Sequence, residues 1–337
     1  MIANIIFFFL INLALNSLTE NSYSIEALYE TTQPNQKITL FRTLCDITNL
    51  EIDGQFVDNI KSDKYYYYYN IFKNEGYHTV HISFDLLKCD SLSSFFGYVN
   101  NLISVKFTDE FKGKKIISTR GLFEGCTNLT LIDISNLDTE YINSMDLMFA
   151  NCQKLTSIDL SHFNTKNVKN MERMFIDCQS LTSIDLSKFD TASVTRIGKM
   201  FWNSISLTSI DISNFDLSKI TSLDKMFANC ESLVSIKLPK IKNITAETYF
   251  MFDGCKSLKS IDLSNFYINL GYDNCGMFSG CESLISINLS TFTSNGTDNL
   301  QEMFSGCKSL KSIDISHFNI SKTRCFYGMF RNCQSLT

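Results

Sequence analysis

One string of residues recurs through most of this chain at an almost fixed interval. Each copy begins with a Met-Phe or Leu-Phe pair, and successive copies are 26 residues apart, with a single interval of 25. The pairs begin at Leu122, Met148, Met174, Met200, Met226, Met251, Met277, Met303 and Met329. A fixed period of about 20 to 50 residues is typical of a solenoid, in which each repeat is one supersecondary unit stacked on the next.

Each repeat carries the pattern of one short strand and one short helix. Ile184 and Leu186 alternate with polar residues, as expected of a strand that turns its apolar side chains into a core. Ile197, Met200 and Phe201 follow with the i, i+3, i+4 spacing of a helical turn. The sequence therefore predicts an α/β solenoid, with one short parallel β-strand and one short helix or helical turn in each repeat of about 26 residues.

Cysteine occupies one fixed position in eight repeats: Cys126, Cys152, Cys178, Cys230, Cys255, Cys281, Cys307 and Cys333. Equivalent side chains in stacked turns point the same way, so they lack the facing geometry of a disulfide. The chain also has no C-x-x-C pair, which many zinc sites use. Because Ser204 takes this position in the remaining repeat, we predict a small buried structural side chain here and no metal site.

The outward strand position after the core isoleucine carries a carboxylate in most repeats, with serine beside it. Its members include Asp133, Asp159, Asp185, Asp211, Asp262 and Asp314, next to serines such as Ser157, Ser183 and Ser209. Stacked carboxylates about 4.8 Å apart repel each other, so they should attract cations or hydrogen-bond to hydroxyl groups. Two interpretations follow: a binding face for a partner protein, a glycan or Ca²⁺, or a solvated sheet face with Ser–Asp hydrogen bonds.

The chain divides into four stretches. Residues 1–19 are predicted to be a secretory signal peptide, because they are apolar without a charged side chain and too short to span a bilayer. Residues 20–95 lack the period and are expected to form an N-terminal cap. Residues 96–121 contain a degenerate repeat, and residues 122–337 form the array, whose last repeat is incomplete. No other stretch is apolar for long enough to cross a membrane.

Two features of the cap region have more than one interpretation. The run Tyr65–Tyr69 fits either a sticky aromatic patch or a strand with alternate rings packed on the cap. Cys45 and Cys89 lie outside the cysteine register and could form a disulfide in a secreted protein, which would tie the cap together.

Nothing in the sequence predicts catalysis or a cofactor. The four histidines are scattered, and there is no nucleophile elbow, phosphate-binding glycine loop or metal-binding histidine pair. The net charge of −5 includes no basic stripe, which argues against nucleic acid as a partner.

The repeat Met-Phe-x-x-Cys-x-x-Leu-x-x-Ile-Asp-Leu-Ser-x-Phe-Asp/Asn-Thr, as in residues 148–165 and 174–191, resembles that of the BspA-like leucine-rich-repeat surface proteins. These proteins occur in bacteria, in mollicutes such as Mycoplasma and in mucosal protists. The resemblance covers residues 122–337 and implies a leucine-rich-repeat-like right-handed coil. It also implies secretion or display at the cell surface, and a role in adhesion or protein binding.

These features predict an extracellular or cell-surface protein that is not an enzyme and binds a protein or glycan through the Asp/Ser strand face. One alternative is an intracellular scaffold with the same fold, if the leader is not a signal peptide. Another is a repeat appendage of a larger enzyme that continues past Thr337.

Overall fold

The computed structural model describes residues 23–43, 45–58, 60–84, 90–244, 246–264, 266–268, 274–291, 299–316, 318, 321 and 323–337. The predicted signal peptide and Cys89 lie outside these residues. The strands are β1 (Tyr23–Thr31), β2 (Gln36–Arg42), β3 (Ile47–Ile52), β4 (Gln55–Phe56), β5 (Lys61–Ser62), β6 (Tyr67–Phe72), β7 (Gly76–Phe84), β8 (Leu102–Phe107), β9 (Leu131–Asp133), β10 (Ser209–Asp211), β11 (Ser235–Lys237), β12 (Ile241–Ile244) and β13 (Phe266–Ile268).

Two β-sheets organise the part of the chain that precedes the repeats, and one of them extends into the first repeat. One has three strands in the order β2-β6-β5, and the other has six in the order β4-β3-β7-β1-β8-β9. Strand β7 shows why these segments form sheets, since Val80, Ile82 and Phe84 alternate with more exposed residues and are fully buried. The two sheets share one core, in which the Tyr29 hydroxyl donates a 2.6 Å hydrogen bond to the carbonyl of Leu40.

The six-stranded sheet continues into the repeats. Strand β8 is antiparallel to β1 on one side and parallel to β9 on the other. In the parallel pair, Val105 lies opposite Ile132, and Lys106 opposite Asp133. The first strand of the array is therefore hydrogen-bonded directly to the N-terminal sheet.

The Met-Phe segments stack through a ladder of backbone hydrogen bonds. The N–H of each Phe donates to the carbonyl of the Met that opens the next repeat, as in Phe149 to Met174 at 3.0 Å and Phe201 to Met226 at 2.9 Å. Between these bonds, neighbouring residues close tight turns within the repeat, as in the 3.1 Å bond from the Ala150 N–H to the Leu147 carbonyl. Along these segments, donors that join consecutive repeats thus alternate with donors that fold the chain locally.

The predicted helix in each repeat is wrong. Among the described residues the only helix is a 3-10 turn at Asp109–Phe111. The residue before Met-Phe and the residue before the register cysteine both adopt a left-handed backbone, as at Arg173 (φ 57°) and Asp177 (φ 57°), and the same holds before Ser204, at Lys199 (φ 59°) and Asn203 (φ 62°). Two left-handed residues within five positions interrupt any helix, so the spacing of Ile197, Met200 and Phe201 reflects consecutive turns with apolar side chains on one side.

The predicted strand is formed in only some repeats. Described strands occupy this position at β9, β10 and β11, and the last two form a parallel pair in which Ile210 lies opposite Ile236. The equivalent residues in the repeats that begin at Met148 and Met174 stack without the regular ladder of a strand. The ladder of the Met-Phe turns, rather than a continuous sheet, therefore provides the more regular backbone contact between repeats.

Side chains of one type stack along the interior of the array. Ten phenylalanine rings lie in a column with centroids 5.3–5.8 Å apart and planes within 14° of parallel: Phe96, Phe123, Phe149, Phe175, Phe201, Phe227, Phe252, Phe278, Phe304 and Phe330. The first ring of the column, Phe96, lies in residues 96–121, the stretch predicted to contain a degenerate repeat. Fully burying one such ring is worth about 1.5–3 kcal/mol.

Candidate functional site

The Asp/Ser face is the row of outward side chains next to the core isoleucines. Ser157, Ser183 and Ser209 are exposed, as are Asp159, Asp185, Asp211, Asp262 and Asp314, whereas Asp133 is half-buried. The register of β10 and β11 shows how the repeats align these positions, since Ser209 lies opposite Ser235 and Asp211 opposite Lys237. The face thus presents one such position per repeat.

Each aspartate of this face also closes the turn that follows it. The backbone N–H of the serine two residues later donates to the Oδ1 atom, at 2.9 Å in Asp159 and 2.8 Å in Asp185. The same bond is present at Asp133, Asp211, Asp262 and Asp314, and Asn288 accepts it at 3.0 Å in place of an aspartate. The repeat with Lys237 in this column lacks an acceptor there. Because the backbone N–H holds the Oδ1 atom, each of these turns fixes the position of its carboxylate relative to the backbone.

The hydrogen bonds favour the ionised form of the aspartates. The bonds from Ser161 and Ser187 lower the pKa of the Asp159 and Asp185 carboxyl groups below their ordinary value. At Asp211 the ammonium group of Lys237, 2.8 Å from Oδ2, is the main cause that lowers the carboxyl pKa to about 2. All three side chains are therefore charged at neutral pH.

Lysines bound the acidic run on both sides. Lys106 lies in register with Asp133, and Lys237 with Asp211, so Asp133, Asp159, Asp185 and Asp211 form consecutive acidic rows between two basic ones.

A shallow depression of about 340 Å³ brings two of these aspartates together. Asp133 and Asp159 line it with the apolar side chains of Leu131, Ile132 and Ile134, and with Ser135 and His162. The Nε2 atom of His162 is buried and makes no hydrogen bond. The sequence pattern did not select His162 as a site residue, because it lies three residues beyond Asp159 in the turn after the strand position and not in the column itself.

The cysteines of the register form a ladder of their own. Each thiol donates to the carbonyl oxygen of the Phe in the preceding repeat, as in Cys178 to Phe149 at 3.1 Å, and the Ser204 hydroxyl does the same to Phe175 at 2.9 Å. The other bonds are made by Cys126, Cys152, Cys230, Cys255, Cys281, Cys307 and Cys333. Burial raises the pKa of the Cys178 and Cys307 thiols to about 12, so neither is a thiolate at neutral pH.

The remaining cysteine chemistry lies in the N-terminal region. Cys45 is disulfide-bonded, whereas the ten cysteines from Cys126 to Cys333 form no disulfide. Its predicted partner, Cys89, lies outside the described residues.

In the part of the chain that the structure describes, no group of three or more His, Cys, Asp or Glu side chains is placed to hold a metal ion. No helix in that part is long and apolar enough to cross a membrane.

Comparisons with known proteins match the repeats described above. The family described as "Mycoplasma protein of unknown function, DUF285" matches residues 90–185 and 117–235. The "BspA type Leucine rich repeat region" matches residues 195–337 in six copies. No curated protein matches the chain.

Among solved structures, the "Crystal structure of TLR13-ssRNA13 complex" contains a similar chain, with 17% identity and a TM-score of 0.29. The alignment covers 72% of this chain and 42% of that one, so this chain spans less than half of its length. The two family matches together extend from residue 90 to residue 337, over the whole stacked array. This chain belongs to the BspA-like leucine-rich-repeat family, and its fold is of the leucine-rich-repeat type.

Proposed function

We propose that this protein is a non-catalytic adhesion protein that is secreted or held at the cell surface and captures a partner protein on its Asp/Ser face. Membership in a leucine-rich-repeat family indicates a protein-binding repeat protein. A glycan is the other class of ligand that this face would accept.

The observation that carries this proposal is the fixed presentation of the carboxylates. Each aspartate of the face is held by a hydrogen bond to its own turn, and the turns recur at the spacing of the repeats. A partner therefore meets charges whose positions are set before binding, which lowers the entropy that association costs. The ionised state of Asp159, Asp185 and Asp211 favours a basic partner surface.

The proposed architecture places this face on one side of an elongated right-handed coil. In this scheme residues 1–19 are a signal peptide, residues 20–95 a cap, residues 96–121 a degenerate repeat and residues 122–337 the array. We further propose that Cys45 pairs with Cys89, which would suit a protein that folds in an oxidising compartment. The ladder of buried cysteines has a structural role in this scheme.

The face can be tested by neutralising its charge without disturbing its turns. In Asp159→Asn, Asp185→Asn and Asp211→Asn combined, the amide oxygen keeps the turn bond, as it does at Asn288. A photo-reactive residue at the exposed Ser183 should cross-link one specific protein on intact cells of the source. The same probe at the exposed Thr195, outside the Asp/Ser face, is the control. An adduct that survives the triple Asn change, or that forms equally from position 195, would reject the face.

Localisation needs a separate measurement. Two measurements distinguish the surface protein from an intracellular scaffold: the identity of the N-terminal residue of the mature protein, and the accessibility of the protein to protease on intact cells. An intact Met1 together with full protection from protease would favour the scaffold, in which the ten cysteines that form no disulfide would meet a reducing environment.

A further inference from the structure

The three-stranded sheet of the N-terminal region turns a basic, tyrosine-rich surface outward. We call this surface the basic tyrosine face: Lys37, Thr39, Arg42, Lys61, Tyr67, Tyr69 and Ile71. The strand register brings these side chains together, since Lys37 lies opposite Ile71, Arg42 opposite Tyr67, and Lys61 opposite Tyr69. By strand geometry, the basic side chains span about 10 Å across the sheet and roughly 16 Å along it.

The charge of this face is opposite to that of the whole chain. Strands β2, β5 and β6 contain three basic residues and no Asp or Glu, although the chain has a net charge of −5. Among the described residues, none of the three is in an ion pair. Asp63, in the loop between β5 and β6, uses its Oδ1 atom for the backbone N–H groups of Tyr65 and Tyr67, at 2.8 and 3.1 Å.

The tyrosine rings hold the basic groups in place. The Lys37 ammonium lies 3.6 Å from the centroid of the Tyr69 ring, and the Arg42 guanidinium lies 5.5 Å from that of Tyr67. The Arg42 Nε–H also donates to the carbonyl oxygen of Tyr65 at 3.3 Å. Because cations cover these ring faces, the tyrosines offer a partner their hydroxyl groups more than a surface for stacking.

The reverse side of the same sheet is packed firmly. Tyr68 stacks on Phe41 with centroids 5.0 Å apart, and Phe72 lies 4.1 Å from the His78 ring of the six-stranded sheet. The backbone beneath the outer face is therefore fixed by the core, so the basic groups keep their spacing without a partner.

We propose that the basic tyrosine face binds a linear polyanionic polysaccharide, a chain that carries sulfate or carboxylate groups. Sulfates and carboxylates would meet Lys37, Arg42 and Lys61, and the sugar hydroxyls would meet Thr39 and the tyrosine hydroxyls. An anionic membrane fits less well, because Ile71 is the only aliphatic side chain on this face and membrane-surface segments insert several apolar residues. An acidic protein fits less well, because the face lacks the apolar centre of a protein interface.

The first test measures binding of the full chain to heparin, the sulfated probe, at different salt concentrations. Three ionic contacts to a linear polyanion release counterions, so affinity should fall roughly 20- to 40-fold between about 50 and 200 mM salt. Lys37→Gln, Arg42→Gln and Lys61→Gln combined should lose this salt-dependent binding. The matched control is Lys166→Gln, Lys256→Gln and Lys308→Gln combined, which removes the same charge from lysines paired with glutamates on the array and should bind like the parent.

The second test separates the polysaccharide from other polyanions and does not depend on the charge variant folding. Tyr67→Phe with Tyr69→Phe keeps both rings and removes only their hydroxyl groups, so binding to heparin should weaken severalfold. Polyglutamate and vesicles of mixed phosphatidylserine and phosphatidylcholine serve as competing probes. Equal or tighter binding of either probe, unchanged heparin binding in the Phe variant, or equal loss in the array control would each overturn the proposal.

Discussion

At the residue scale, the array depends on positions that adopt a left-handed backbone. The residue before the register cysteine, or before Ser204, is Gly, Asn or Asp in every repeat: Gly125, Asn151, Asp177, Asn203, Asn229, Gly254, Gly280, Gly306 and Asn332. These are the residue types that tolerate this conformation best. Gly254 has a second reason, because a Cβ atom there would lie 2.4 Å from the Asn229 side-chain oxygen.

The left-handed position can be tested at Asn151, whose φ is 58°. A β-branched side chain is strained in this conformation, so Asn151→Val should lower the free energy of unfolding by about 1–3 kcal/mol. Asn151→Gly keeps the backbone accessible and is the control, with a change well below that of the valine variant. Urea unfolding followed by circular dichroism measures both. Equal stability of the two variants would contradict the assignment.

The buried thiols predict a loss of stability in alkali. Burial raises the pKa of Cys178 in the folded chain to about 12, whereas an unfolded cysteine ionises near 9. The contribution of this thiol is therefore complete below about pH 9 and falls as the pH rises toward 12, by up to about 1.4 kcal/mol per pH unit. Cys178→Ser should flatten this dependence, since Ser204 already makes the equivalent bond. Urea midpoints at several alkaline pH values measure the slope, and identical slopes would refute the prediction.

At the element scale, the sequence predicted the length and stacking of the repeats better than the secondary structure within each repeat. The period and the apolar positions indicated stacked turns, and the phenylalanines of the ring column are buried from Phe96 to Phe304. The spacing of Ile197, Met200 and Phe201 suggested a helix because side-chain periodicity does not reveal the sign of φ. The Gly/Asn/Asp column before cysteine carried that information, but it was not part of the helix prediction.

The candidate face could also be predicted only in part, because a side-chain pattern shows which residues point outward and not which hydrogen bonds they make. Its outward aspartates and serines follow from strand alternation, but the bond from Ser161 N–H to Asp159 is a local turn that an Asp-x-Ser pattern could have indicated. The pairing of Lys237 with Asp211 also follows from the register. The N-terminal sheets were beyond sequence reasoning, because β1 pairs with β7 and β8 across long stretches of chain.

The stacked rings give a prediction for a single element. Phe201 is fully buried and packs between Phe175 and Phe227, with centroids 5.5 and 5.8 Å away. Phe201→Ala should cost about 3–5 kcal/mol, because it leaves a cavity between two neighbours. Phe326, which is 44% exposed, is the control, and its change to Ala should cost less than about 0.5 kcal/mol. Chemical unfolding compares the two variants. A loss of unfolding free energy at position 201 as small as that at position 326 would show that the ring column contributes little to stability.

At the scale of the whole molecule, each repeat contacts mainly the one before it and the one after it. The backbone ladder, the thiol bonds and the ring column all join consecutive repeats. The array should therefore tolerate the loss of one complete repeat far better than the loss of part of one.

Removing residues 174–199 tests this modularity. The deletion joins Arg173 to Met200 and brings Phe149 next to Phe201. Arg173 and Lys199 have the same left-handed backbone, with φ of 57° and 59°, so the new junction repeats the old one. We expect a folded protein with a cooperative thermal transition. Removing residues 174–186 instead puts every following column out of phase and should abolish that transition. Similar behaviour of the two deletions would argue against independent repeats.

The hydrogen-bonded link between β8 and β9 has a consequence for biosynthesis. A nascent chain that has completed its N-terminal sheet already exposes a template edge, and each 26-residue segment leaving the ribosome can dock on the segment made just before it. Assembly would then proceed vectorially, in the order of translation, so that the growing polypeptide exposes little more than one unfinished turn at a time.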